Sequence, residues 1–102
     1  MPVTLQVLYP TTNDTTFDHA YYAAKHLPLA GEAMGPFCSS LSVSKGLAGG
    51  PDTPAGYHTI ATLVFENQAA LDSALAVSEP VLADIPNFFS GEPQMLIGEV
   101  VA

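Results

Sequence analysis

Three stretches of this chain are apolar on both of their alternating faces, and no other feature limits its fold as much. In "PVTLQVLY", residues 2–9, Val3, Leu5, Val7 and Tyr9 share one side and Leu8 lies on the other. In "YHTIATLVFE", Tyr57–Glu66, Ala61, Leu63 and Phe65 oppose Ile60 and Val64. In "QMLIGEVV", Gln94–Val101, Leu96 and Val100 oppose Met95, Ile97 and Val101. Runs rich in β-branched residues with a period of two predict strands. A sheet that is apolar on both faces needs cover on both.

The rest of the chain supplies one more strand and too little helix for that task. "FCSSLSVSKG", Phe37–Gly46, alternates Phe37, Ser39, Leu41 and Val43 with Cys38, Ser40, Ser42 and Ser44, which predicts a half-buried strand. A first helix is expected from about Phe17 toward Gly35, with Thr15 and Asp18 spaced as in a capping box. Pro28 lies inside it. Proline has no N–H, so the carbonyl of Ala24 should lose its helical partner and the helix should kink or break a turn. "GLAGGPDTPAG" reads as a loop. Asn67 should cap a second helix, with Leu71 and Leu75 one turn apart, followed by a short helical segment over roughly 81–85 that Pro86 stops.

The resulting order is β-α-β-β-α-β. That predicts one α+β domain over residues 1–102, ferredoxin-like, with an antiparallel sheet and helices on one face. The economical cover for the other face is a second copy packed about a two-fold axis, so a homodimer is expected.

Charge narrows the partners. Ten acidic residues stand against Lys25 and Lys45, giving a formal net charge of −8 with no arginine. No nucleic acid partner is expected, because that needs clustered cations, and no anionic membrane surface fits either. The planar clamp that arginine offers phosphates and carboxylates is also missing. A small neutral, hydrophobic ligand fits this chain better. Cys38 is the only cysteine, so no internal disulfide and no cysteine zinc site can form. With no basic, apolar leader pattern at the start, a cytoplasmic address is the default expectation.

His26 is the leading chemical candidate, because an imidazole can give or take a proton near neutral pH. Its ordinary reading is a buried helix histidine bonded to a neighbour. Tyr22 lies one turn back on the same stripe and could orient or polarise a ligand. Asp18 lies two turns back, about 12 Å along the helix axis, and could reach the ring only through Tyr22 or a bend. Tyr21 and Tyr22 cannot share a face; one should pack on the sheet. His58 opens the third strand and points with Ile60, Thr62 and Val64, where the ordinary reading is a partly solvated strand-end residue. His19 reads as surface. His19, His26 and His58 lack metal-site spacing, and no metal is expected. Cys38 reads as a small buried cysteine. In "PNFF", Asn87 suits a helix C-cap or a ligand contact, and Phe88 or Phe89 should seal one end of the space between helix and sheet. Phe37 and Met95 complete the candidate walls of a pocket for an apolar ligand.

Two stretches resemble the EthD family. "FDHAYYAAKHLPLA" is similar to its aromatic-Asp-x-x-Tyr-Tyr-x-x-x-His-x-Pro-Leu pattern. "ADIPNFFSGEPQMLIGEVV" is similar to its C-terminal stretch, and "SKG" and "YHTIATLVFE" also fit, so the likeness covers almost the whole chain. The resemblance implies a dimeric α+β barrel of ferredoxin-like subunits, with His26 and Tyr22 at the recognisable family position. The family takes its name from genes found with ethyl tert-butyl ether degradation, which does not establish a reaction. Families of this architecture include cofactor-independent monooxygenases, isomerases, polyketide cyclases, decarboxylases and a hydroxynitrile lyase, so fold alone does not choose the chemistry. Members are often labelled reductases, but no nicotinamide or flavin motif is present and no cofactor is expected. What is implied is a cofactor-independent enzyme using His26 on a small carbonyl, lactone or polyketide-like compound. The alternative is a ligand-binding accessory to an oxygenase system.

Overall fold

β1, residues Val3–Pro10, forms the middle of the structure because both of its edges are paired. The computed structural model describes all 102 residues and sets β1 between β3 (Tyr57–Phe65) and β4 (Gln94–Glu99), with β2 (Ser40–Lys45) beyond β3. All three pairings are antiparallel. Leu5 sits opposite Leu63 on one side and Ile97 on the other, and Val7 sits opposite Ala61 and Met95. Paired residues present their side chains to the same face, so this register builds an apolar floor from three strands. Helices α1 (His19–Tyr21), α2 (Leu27–Met34), α3 (Gln68–Ala76) and α4 (Glu79–Asp84) supply the rest of the β-α-β-β-α-β order, an α+β ferredoxin-like fold. No helix is long and apolar enough to cross a membrane.

The first helix is continuous, but Pro28 changes its winding. Between α1 and α2 the backbone makes a π-helical turn over Tyr22–His26, in which the N–H of Leu27 donates to the carbonyl of Tyr22, five residues back. The extra residue loosens the ladder just before the proline ring, which would otherwise press on the carbonyl of Ala24. The expected kink is therefore absorbed as a wider turn. It also takes back part of the drift, about 40° per four residues, that an α-helix imposes on a stripe spaced by four. Tyr22, His26 and Met34 all remain buried.

Four local expectations need correction. The helix starts at Asp18, not Thr15: Asp18 Oδ1 accepts from the N–H of Tyr21 at 3.0 Å. Thr15 donates its hydroxyl to the Pro10 carbonyl instead. β2 begins at Ser40, because Gly35–Phe37 form a tight 3-10 turn around Pro36 that places Phe37 before the strand. β2 is exposed along its whole length in the protomer, where it is an edge strand paired only with β3. α4 begins two residues earlier than expected, as Pro80 is tolerated in a first turn where its missing N–H costs nothing. Asn67 does cap α3, accepting from the N–H of Ala70 at 2.9 Å.

The covered face holds two clusters. One is mainly aliphatic: Leu5, Met34, Ala61, Leu63, Phe65, Leu71, Ala74 and Val81. The other is mainly aromatic: Tyr9, Tyr22, Ile85, Phe88 and Phe89. The opposite face carries Leu8, Ile60, Val64 and Leu96 with no helix over it, and Gln6 there donates to Thr62 at 3.1 Å.

Phe65 is fully buried, so Phe65→Ala should cost about 3–5 kcal/mol. Asn67→Ala, which removes only a cap, should cost about 1 kcal/mol. Urea unfolding of both variants would order them; equal losses would contradict this assignment of the core.

Candidate active site

The two clusters do not meet everywhere, and the gap between them is a cavity of about 60 Å³. That is several times the ~10–15 Å³ needed to place one water, so the space suits a small organic molecule. The floor comes from Leu5, Val7, Tyr9, Ala61 and Leu63, the roof from the first helix and from α4. Fifteen of its seventeen lining residues are hydrophobic. Met95 and Leu41, on the two edge strands, line it and are 47% and 41% exposed.

His26 is the one ionisable imidazole in this lining and is only 4% exposed. Its ring lies against Tyr22, nearly parallel at 19° with centroids 5.3 Å apart, and against Phe88 at 4.5 Å. Nδ1 is 2.9 Å from Oδ2 of Asp84. Nε2 has no partner within the protein. Asp84 is positioned by the end of α4, where Ile85–Asn87 tighten into a 3-10 turn. Its Oδ1 accepts from the Tyr21 hydroxyl at 2.7 Å and from Asn87 Nδ2 at 2.9 Å. Burial alone would raise its carboxyl, but the hydrogen bonds from Asn87, Tyr21 and His26, with the charge of His26, hold it below the usual carboxylate range. Asp84 is therefore ionised at neutral pH.

The two chain segments that meet here are stitched by backbone. The N–H of Asp18 donates to the Phe88 carbonyl at 2.8 Å, that of Ser90 to the Thr16 carbonyl at 3.1 Å, and Phe17 bridges Phe89 in antiparallel fashion. Aromatic packing around Tyr9, which touches Phe17, Tyr22, Phe88 and Phe89 edge-on, fills the space behind the seam. Burial pushes the Tyr22 hydroxyl up to about 12, with the Tyr9 hydroxyl acting slightly the other way, and burial raises Tyr9 further still. Both hydroxyls stay protonated at neutral pH, so neither serves as a base.

Of the candidate residues read from the sequence, the fold brings His26, Tyr22 and Met95 to the cavity. Phe37, His58, Asn87, Phe88 and Phe89 do not line it. Phe37 is on the turn before β2. His58 bonds the Thr15 hydroxyl through Nε2 at 3.0 Å and stacks on Phe17. Phe88 backs the imidazole rather than a ligand, and Phe89 fills the aromatic cluster. Asn87 spends its amide on Asp84. His19 packs on the same Phe17 ring, 4.6 Å away. Cys38 donates its thiol to the Met34 carbonyl, and burial pushes that thiol up, away from nucleophilic use. The residue that the sequence reading missed is Asp84. It stands within "ADIPNFF", three residues before Asn87, but nothing local ties it to a histidine 58 residues away.

Because the folded carboxyl of Asp84 titrates lower than an unfolded one near 4, it adds stability above that value and loses it as pH falls through the depressed folded value. Asp84→Asn should flatten the acid side of the stability-against-pH curve, and Tyr21→Phe should move its fall toward pH 4. Urea midpoints measured from pH 6 down to 2 would test this; parallel curves for all three proteins would refute it.

Comparison with known proteins bears on the fold and the family. Among curated proteins, none matches the chain. An EthD-like protein from Ralstonia eutropha superposes with a TM-score of 0.87 at 30% identity, over 99% of this chain and 93% of that one. A cofactor-independent oxygenase from Streptomyces nogalater shares the fold at 13% identity, TM-score 0.66, over 97% of this chain and 92% of the other. A dimeric ferredoxin-like protein from Thermobifida fusca does so at 8% identity, TM-score 0.58, covering 98% and 92%. Residues 10–92 match the EthD domain, and they contain both the π-turn histidine and the carboxylate that holds it; the chain belongs to the EthD domain family.

Proposed function

We propose that this protein is a cofactor-independent enzyme in which His26 transfers a proton to or from a small hydrophobic carbonyl, lactone or polyketide-like compound. One observation carries the reading: a buried imidazole, bonded on one side to an ionised carboxylate and with its other nitrogen unbonded within the protein, lines a largely hydrophobic cavity. A positioned group that can take or give a proton in a shaped, largely apolar space suits general acid–base catalysis. The Streptomyces nogalater neighbour, named as a cofactor-independent oxygenase, is support for chemistry without a cofactor on this fold, though not for a particular reaction. Tyr22 would set the plane of the imidazole by stacking, rather than exchange protons.

The working unit in this proposal is a homodimer. Leu96 is 54% exposed and shares the open face of the sheet with Leu8, Ile60 and Val64. A partner sheet across that face would remove this surface from water. The dimeric ferredoxin-like neighbour is consistent with such packing. Leu96→Asp should then shift the protein to monomer in size-exclusion chromatography at micromolar concentration, and an unchanged dimer would show that this face is not the interface.

Native mass spectrometry of freshly purified protein tests the functional reading. A dimer with a reproducible extra mass would identify the bound compound. Wild-type protein should then convert it, and His26→Ala should lower the rate by about 100-fold or more. Equal rates in the two proteins would remove the mechanism. Tight binding with no turnover by either would instead mark a ligand carrier, such as an accessory to an oxygenase system like that of ethyl tert-butyl ether degradation.

A further inference from the structure

The direction in which His26 works is set outside the cavity, by the other side of its ring. Oδ1 of Asp84 already accepts from Tyr21 and Asn87, and Oδ2 faces Nδ1 of His26. An ionised carboxylate can only accept hydrogen bonds, so Nδ1 must carry the hydrogen. In the neutral ring Nε2 is then a bare lone pair. Asp84 is the only hydrogen-bond partner that the protein gives the His26 ring. The cavity adds a second constraint. Its lining contains no lysine, and Ser78 spends its hydroxyl on the Leu75 carbonyl.

We propose that Asp84, held by Tyr21 and Asn87, is a positioning residue that fixes His26 as the Nδ1–H tautomer and so selects neutral ligands presenting an acidic X–H group to Nε2. This rests on the proposed acid–base role of the same site. The ligand class follows from the balance of charge. When X–H gives its proton to Nε2, the X–H electron pair stays on the ligand and the ring becomes an imidazolium whose charge Asp84 offsets. The ligand anion finds no other cation, so it must spread its own charge. Phenols, enols and carbon acids next to a conjugated carbonyl meet that condition; isolated alcohols do not. Return of the proton to a different atom of the same conjugated system completes a tautomeric shift with no oxidant or co-reactant.

Two measurements on the full chain test this. Imidazole 15N spectra of the protein with the ring neutral should show His26 protonated at Nδ1, and Asp84→Asn should move the hydrogen toward Nε2, with Tyr21→Phe intermediate. Ligand titrations followed by NMR should use phenol and toluene, which differ only by hydroxyl for methyl. Wild-type protein should bind phenol about tenfold tighter than toluene, the worth of one good hydrogen bond, and Asp84→Asn should erase most of that ratio. Equal binding of both probes in the cavity, or an Nε2–H tautomer in the wild type, would overturn the proposal while leaving a hydrophobic binding site. If neither probe shifted the cavity resonances, the hydrophobic-ligand reading itself would fall and take this one with it.

Discussion

The carboxylate of Asp84 is the contact on which the candidate site depends. It joins the first helix to the turn after α4, accepting from two side chains of one and one of the other. All three donors are short and directed, and together they overcome the cost of partial burial that would otherwise raise this acid. Without the carboxylate, Nδ1 of a nearly buried imidazole would have no partner, and the Tyr21 hydroxyl would lose its acceptor. The backbone seam between Asp18 and Phe88 and between Thr16 and Ser90 brings the two segments to that distance. The polar contact is thus supported by sheet-like bonding on one side and aromatic packing on the other.

That arrangement explains why the interior contains both a well-filled core and a space. The aliphatic cluster is built on β1, β3, α2, α3 and α4, where side chains interlock. The aromatic cluster is built on rings meeting edge to face around Tyr9, a geometry that fixes their orientation. The cavity lies where the two kinds of packing adjoin, and His26 lies at its wall. Its edge-strand residues, Met95 and Leu41, are partly open in the single protomer.

Much of this was legible in the sequence, for physical reasons. Element order follows from periodicity, and Asn67 announced its helix because a cap is a local hydrogen bond. His26 and Tyr22 were legible as one stripe because helical neighbours four apart share a face. What failed was non-local. Alternation in β2 looks half-buried, but only the strand order shows that it lies at an edge, paired only with β3. Thr15 looked like a cap, but its hydroxyl found the Pro10 carbonyl and left the role to Asp18. The ligand contacts assigned to Asn87 and Phe88 go to Asp84 and to the ring of His26, since they stand behind the catalytic candidate and not before it. Asp84 itself could be singled out only by asking which acid a fold of this topology brings to the helix.

The π turn has a consequence for how such a chain can change its length. A π turn is an α-helix holding one residue more than its ladder needs, and here that residue lies between two rings that stack on each other. Removing any one of residues 23–25 would restore regular winding, but it would leave the two rings three positions apart, about 60° from a shared stripe. The stacking of Tyr22 on His26 would then be lost. The loop between β2 and β3 is under no such restraint, for it joins strand ends whose register is fixed elsewhere. Counting residues across five positions therefore matters here as much as knowing which residues they are.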